Sequence, residues 1–315
     1  MKSLVTGAAG FIGSHLCEDL LQRGDEVVGV DCFIDNYGRE RKQQQLGGAL
    51  ASERFTLVET PILELDLAAL LPDVDRVFHL AGLPGVRPSW GGAFADYLSH
   101  NVMSTQALLE GCKNIGVDRF VYASSSSVYG DTDVLPMRED AATWPYSPYG
   151  VTKLAGEHMV RLYSRNFGVP TVSVRYFTVY GPRQRPDMAI QRFLLAARDG
   201  TPIRVFGDGE QSRDYTYVAD IVEGTRRAAE TGRPGAVYNI GGGSRVTLNE
   251  LIAMIEAVTG TALQVDREPG KPGDVRSTEA DSRLAQEDLH FVPEISLKEG
   301  LARHWEWLTS TAAGS

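Results

Sequence analysis

Short apolar runs separated by helix-length stretches recur along the first half of the chain. They stand at Leu4 and its neighbours and at residues 27–30, 55–58, 77–80, 120–123 and 171–176. After the first run, residues 14–23 carry Leu16, Leu20 and Leu21 at helical spacing, and Gly24 follows as a stop signal. Strand and helix alternating at this period predict an α/β fold, a Rossmann-like doubly wound parallel sheet. Ligands of such a sheet lie beyond the carboxyl ends of its strands, where Gly7, Asp31, Ala81, Gly82 and Ser124 fall. Past Tyr176 the punctuation changes to turn-rich steps such as Gly181-Pro182, Arg185-Pro186 and Gly207-Asp208-Gly209, interleaved with short apolar runs. This predicts a smaller α/β lobe for substrate. The expected division is a dinucleotide-binding domain over residues 1–175 plus about 213–241, and a second lobe over about 176–212 and 242–315. A helix over 213–230 and a strand over 237–240 are expected to return to the first lobe, while 247–257 and the tail cover the second and 311–315 fray.

Composition narrows the function classes. A chain of 315 residues, 43% hydrophobic, buries a large core, and no run approaches the roughly 18 apolar residues of a membrane span. The formal charge of −10 argues against nucleic acid but leaves room for a small anionic substrate held by a few local arginines. Cys17, Cys32 and Cys112 include no C-x-x-C, and the histidines form no ligand pair, so neither disulfides nor a metal are expected. The expected compartment is the cytoplasm.

The candidate chemistry begins at Thr6-Gly7-Ala8-Ala9-Gly10-Phe11-Ile12-Gly13, between the first strand and helix. Gly7 permits the tight turn, Gly10 lets the backbone approach a pyrophosphate, and Gly13 lets helix pack on strand. Asp31 ends the second strand, where an acid accepts hydrogen bonds from ribose hydroxyls and repels a 2′-phosphate, favouring NAD over NADP. Tyr149 and Lys153 stand four residues apart, which on a helix puts phenol and ammonium on one face. A free tyrosine titrates near ~10, and lowering that by about three units needs roughly 4 kcal/mol, which a lysine and a cofactor cation can share. The pair reads as an NAD-coupled proton-abstracting device.

With these motifs in this order, the chain resembles the extended short-chain dehydrogenase/reductase family over almost its whole length. The resemblance implies that Ser125, three residues before Val128-Tyr129-Gly130, is the catalytic hydroxyl beside Tyr149 and Lys153. It implies cofactor contacts from Gly7, Gly10, Phe11, Ile12, Gly13, Asp31, Ile62, Leu80, Ala81, Gly82, Asn101, Ala123, Tyr176 and Val179. His79 is expected to be a buried strand residue with a satisfied imidazole. One departure stands out: the family usually carries an acid after the third strand to contact adenine, whereas here Pro61 stands there, leaving Ile62 to pack on adenine and offer its backbone.

Three segments closely resemble the UDP-glucuronate 4-epimerases: Ala81-Gly82-Leu83-Pro84-Gly85-Val86-Arg87, the serine segment, and Arg175-Tyr176-Phe177-Thr178-Val179-Tyr180-Gly181-Pro182-Arg183-Gln184-Arg185. The implied carboxylate partner is Arg185, with Ser126, Ser127 and Thr178 as donors and Arg87 as a second cation. Arg183 and Arg185 merely bracing a loop or binding phosphate is the plainer alternative. Val205 and Phe206 are implied to pack uracil, with Arg213 and, from Gly273-Asp274-Val275-Arg276, Arg276 on the diphosphate; an Asp274–Arg276 surface pair is the alternative. Dehydratases of the family carry an Asp-Glu pair after the catalytic hydroxyl, and UDP-xylose synthases place a glutamate in that segment. Here Ser126 and Ser127 supply no acid. The expected reaction is therefore NAD-dependent C4 epimerisation of UDP-glucuronate to UDP-galacturonate through a 4-keto intermediate, with the carboxylate retained. A decarboxylating UDP-pentose synthase, a UDP-glucose/UDP-galactose epimerase and a non-catalytic NAD-binding regulator remain open. Helices near 97–112 and 149–166, which form a dimer bundle in many relatives, suggest a homodimer.

Overall fold

Leu4 and Val5 are neighbours in the first strand, yet they enter different apolar layers. Val5 packs with Leu16 and Leu20 of the helix Phe11–Gln22, and Leu4 with Leu108, Leu109 and Phe120 on the other side. A strand buried on both faces is apolar throughout, which is why the period-two alternation of a half-exposed sheet is missing here. The computed structural model describes residues 1–35, 38–269 and 275–312.

In chain order the strands are β1 (Lys2–Thr6), β2 (Glu26–Val30), β3 (Phe55–Val58), β4 (Arg76–His79), β5 (Arg119–Ser125), β6 (Thr171–Tyr176), β7 (Thr178–Tyr180), β8 (Ile203–Phe206), β9 (Ser212–Tyr217), β10 (Ala236–Ile240), β11 (Arg245–Thr247) and β12 (Val265–Glu268). Seven of them form one sheet in the order β10-β6-β5-β4-β1-β2-β3, and every neighbouring pair is parallel. The chain runs outward from β1 to β3 and then returns to β4 on the other side of β1. The connections leaving β1 and β4 therefore diverge, opening a crevice beyond their carboxyl ends. This is the doubly wound α/β architecture that the strand pattern predicts.

A smaller three-stranded sheet, β11-β9-β7, and the parallel pair β12-β8 stand beyond that edge. Here one expectation fails. Residues 212–217 are not the start of a helix but strand β9, the middle of the small sheet, and the helix begins only at Val218 (Val218–Thr231). Tyr215, Thr216 and Tyr217 are strand formers that pair with β7, while Ser212, Arg213 and Asp214 before them pair with β11.

Two helical elements carry the Tyr149–Lys153 pair and Asn101, residues expected at the site. Pro148–Phe167 starts sharply because Ser147 Oγ accepts from the Gly150 amide at 3.1 Å and Pro148 occupies the first turn; it stops at Gly168, which is left-handed at φ 70°. Against it lies a helical run from Phe94 to Cys112 whose middle, Leu98–Met103, widens into a π turn. Such a turn moves a side chain out of the regular ladder, and Asn101 sits in it.

Candidate active site

A cavity of about 440 Å³ fills the crevice between β1 and β4. Its walls include Gly7, Gly10, Phe11, Ile12 and Gly13 from the first turn, Asp31 from the end of β2, Ile62, and Leu80, Ala81 and Gly82 after β4. A Cβ at Gly13 would stand 2.1 Å from the Gly7 carbonyl oxygen, so only glycine lets the helix come this close. The helix N-terminus then faces the cavity, a setting that suits a phosphate. Asp31 accepts from the Ala9 amide at 3.1 Å and the Phe33 amide at 2.8 Å. Lys42, buried on the same wall, brings Nζ to 3.5 Å from Asp31 Oδ1. The sequence reading missed Lys42, since Arg-Glu-Arg-Lys resembles any solvated helix. Pro61 and Ile62 also line the cavity. Asp66, which lies farther along, is spent on capping the Ala69 amide. An amide-lined turn at one place and an acid at another suit a dinucleotide.

Four residues expected at the cofactor lie behind these walls. Asn101 is buried and fully engaged: Oδ1 accepts from the Leu83 amide, while Nδ2 donates to Leu83 O at 3.1 Å and Thr152 Oγ1 at 3.0 Å. Ala123 offers its carbonyl to Lys153, Tyr176 shares a hydrogen bond with Thr225, and Val179 is core. His79 is the satisfied core histidine expected. It bonds Thr6 Oγ1 at 2.7 Å and Thr105 Oγ1 at 2.9 Å, and burial pushes it down to about 3.

Tyr149 and Lys153 occupy the first turns of Pro148–Phe167. Burial holds the Tyr149 phenol above the ordinary range, opposed by the neighbouring Ser125 hydroxyl and by the Arg185 charge; Ser125 Oγ itself donates to Ser127 Oγ at 3.1 Å. Lys153 Nζ donates to Ala123 O at 2.9 Å and sits 5.2 Å from the centre of the Tyr122 ring. A Cβ on Gly82 would lie 3.4 Å from that ammonium, which places Lys153 directly behind the cavity floor. Burial lowers Lys153 to about 8, opposed by Glu157.

Two further cavities adjoin. One, of about 230 Å³, is lined by Ser126, Ser127, Thr178, Tyr146 and Arg213. The other, of about 330 Å³, is lined by Arg87, Arg185, Arg192, Arg204, Arg213 and Phe206, with Asp187 among them. Arg87 lies over the Phe206 ring at 5.1 Å. The two loop arginines separate here. Arg183 braces the loop, pairing with Glu18 at 2.8 Å, whereas Arg185 faces the cavities and pairs with Asp187 at 2.7 Å. Val205, expected to pack uracil, is instead fully buried in strand β8 and lines none of these cavities, because its side chain is part of the core. Arg276 is exposed and bidentate to Asp208, off these cavity walls; Gly273 and Asp274 lie outside the described residues, as do 313–315 of the expected tail.

The family model for the NAD dependent epimerase/dehydratase family matches residues 3–241. The chain belongs to that family. Among its relatives is the Bacillus subtilis protein YtcB, an uncharacterized UDP-glucose epimerase by name, 44% identical over 100% of both chains. The UDP-glucuronate 4-epimerase of Thermodesulfobacterium geofontis is 37% identical over 96% of this chain and 95% of that one. A crystal structure of UDP-glucuronic acid 4-epimerase from Bacillus cereus, in complex with UDP-glucuronic acid and NAD, superposes with a TM-score of 0.96 at 44% identity, covering 99% of this chain and 100% of that one.

Proposed function

We propose that the protein is an NAD-dependent UDP-glucuronate 4-epimerase that yields UDP-galacturonate without loss of the carboxylate. One observation carries this reading: the cavity beside Ser125 is walled by the hydroxyls of Ser126, Ser127 and Thr178, donors for a carboxylate, with no acid on its walls among the described residues. Tyr149, beside Ser125, takes the proton of the sugar 4-hydroxyl and later returns one from the phenol. Ser125 orients that hydroxyl, and Lys153 behind Gly82 stabilises the phenolate. Bound NAD supplies a reversible hydride acceptor, so no external oxidant is consumed. Gly7, Gly10 and Gly13 would hold its pyrophosphate and Asp31 its ribose. The arginine-lined cavity would hold the nucleoside diphosphate through Arg87 and Arg213. A 4-keto uronate is a β-keto acid; hydrogen bonds from Ser126, Ser127 and Thr178 keep the carboxylate bond out of line with the carbonyl π system and so suppress release of CO2.

A second reading, epimerisation of a neutral UDP-hexose, draws on the Arg185–Asp187 pair, because a hydroxymethyl group would not need to compete for that guanidinium. Incubation with UDP-glucuronate and with UDP-glucose, followed by chromatography and mass measurement, separates the outcomes. A new isomer of unchanged mass from UDP-glucuronate supports epimerisation; loss of one CO2 sinks it, and turnover of UDP-glucose alone favours the second reading.

We also propose a homodimer working in the cytoplasm. Leu98 and Met103 on one helical run, and Val151, Leu162 and Phe167 on Pro148–Phe167, are exposed on two elements that pack together. A second copy covering this face buries them. Sedimentation at micromolar concentration tests it, and a monomer would refute it.

A further inference from the structure

Glu157 lies one turn beyond Lys153 on the helix Pro148–Phe167, buried, and touches none of the cavities. Its carboxylate is held from two sides. Arg175 of β6 grips it bidentately, Nε to Oε1 at 2.9 Å and Nη2 to Oε2 at 2.7 Å, and Ser124 Oγ donates to Oε1. Ser124 immediately precedes the catalytic Ser125, and the carbonyl before it, Ala123 O, receives the Lys153 ammonium. One carboxylate therefore ties the end of β5, which carries Ser125, to the helix that carries Tyr149 and Lys153.

We propose that Glu157 is a positioning residue for the reaction: it fixes the Ser124–Ser125 step against the catalytic helix and supplies the counter-charge that keeps Lys153 an ammonium. The inference rests on the roles given above to Tyr149, Lys153 and Ser125. The groups that face Lys153 are Tyr149 and Glu157 from its own helix, Tyr122 from β5 and His79 from β4, with Arg175 behind Glu157 and Arg185 toward Tyr149. Burial keeps His79 and Tyr122 neutral. Before Tyr149 ionises, Glu157 is the anion in this set. Burial works against the Lys153 charge and Glu157 opposes it. Replacing the glutamate by its amide would keep the size and the acceptor for Ser124 while removing the charge.

The test is the pH dependence of kcat on whichever UDP-sugar the wild-type chain turns over, so a failure of the substrate assignment is seen first and separately. In Glu157→Gln the alkaline limb is expected to move down by at least about half a pH unit, with KM changed less than about twofold. That variant leaves Arg175 buried without its partner, so the double variant Glu157→Gln/Arg175→Met, which leaves no orphaned charge, is measured beside it and is expected to shift the limb in the same direction but less, because the arginine's charge leaves with the glutamate's. Glu157→Asp, retaining the charge, should restore the limb. Ser124→Ala should lower kcat about tenfold without moving the limb. An alkaline limb at its wild-type position in the folded Glu157→Gln variant would overturn the proposal and leave Glu157 a purely structural ion pair; should that variant not fold, a Glu157→Asp limb and turnover no closer to wild type than those of the double variant would do the same.

Discussion

Lys42 and Asp31, buried together on the wall of the large cavity, stand with Nζ 3.5 Å from Oδ1. The acid also takes two backbone amides, so its position is over-determined while its charge is partly balanced. Removing one partner of a buried pair strands the other charge. Lys42→Met is therefore expected to weaken NAD binding about tenfold, since it strands the Asp31 charge on the wall proposed for the ribose. Asp31→Asn should weaken it by roughly ten- to a hundredfold, the range of a lost charge-assisted hydrogen bond, and should narrow the preference for NAD over NADP by leaving Lys42 to meet a 2′-phosphate. Calorimetric titration of the protein with each dinucleotide reads both effects; unchanged NAD affinity in Asp31→Asn would remove the acid from ribose recognition.

Tyr149→Phe deletes one oxygen at the centre of the site. Turnover should fall by about 10²–10⁴-fold, the usual worth of a positioned proton carrier. The melting temperature should stay within a few degrees, because the ring remains packed edge-on against Tyr97 with centroids 6.3 Å apart. Retention of more than a tenth of wild-type turnover would show that another group moves the proton.

Arg185 must leave Asp187, or share it, to meet a sugar carboxylate. Arg185→Ala is expected to lower kcat/KM for UDP-glucuronate at least tenfold more than for UDP-glucose. Asp187→Asn, which releases the guanidinium, should shift the ratio the other way. Equal losses on both sugars in Arg185→Ala would take that residue out of carboxylate recognition.

Acid should unfold the protein in part through its buried histidines. Burial pushes His79 and His304 down to about 3, whereas an unfolded histidine titrates near ~6.5. Between those values the unfolded chain binds a proton that the folded one excludes. Their full contribution to stability is present above pH ~6.5 and is lost on acidification, on the order of 1.4 kcal/mol per pH unit per group. Melting temperatures measured from pH 7 to pH 5 should fall, and His304→Gln, at a residue that lines none of the three cavities, should flatten the slope. An unaltered slope would mean that other groups dominate.

The chain's sequence alone determined the doubly wound sheet, the glycine turn with Asp31, and the Tyr149–Lys153–Ser125 set. Each of these is a local pattern: a period of apolar residues, a turn that only glycine allows, a spacing on one helix face. Tertiary structure decided what local pattern cannot express. Residues 212–217 became a strand because β7 and β11 flank them, although the neighbouring helix signal runs straight on from the same residues. Lys42 reached Asp31, Asp187 took Arg185, and Arg183 turned to Glu18, through contacts between elements distant in the chain or through a loop conformation that composition leaves open. The fate of Arg183 and Arg185 shows the reason most clearly. Two arginines two residues apart have the same chemistry, and only the surrounding charges determine that one braces a loop while the other faces the cavities.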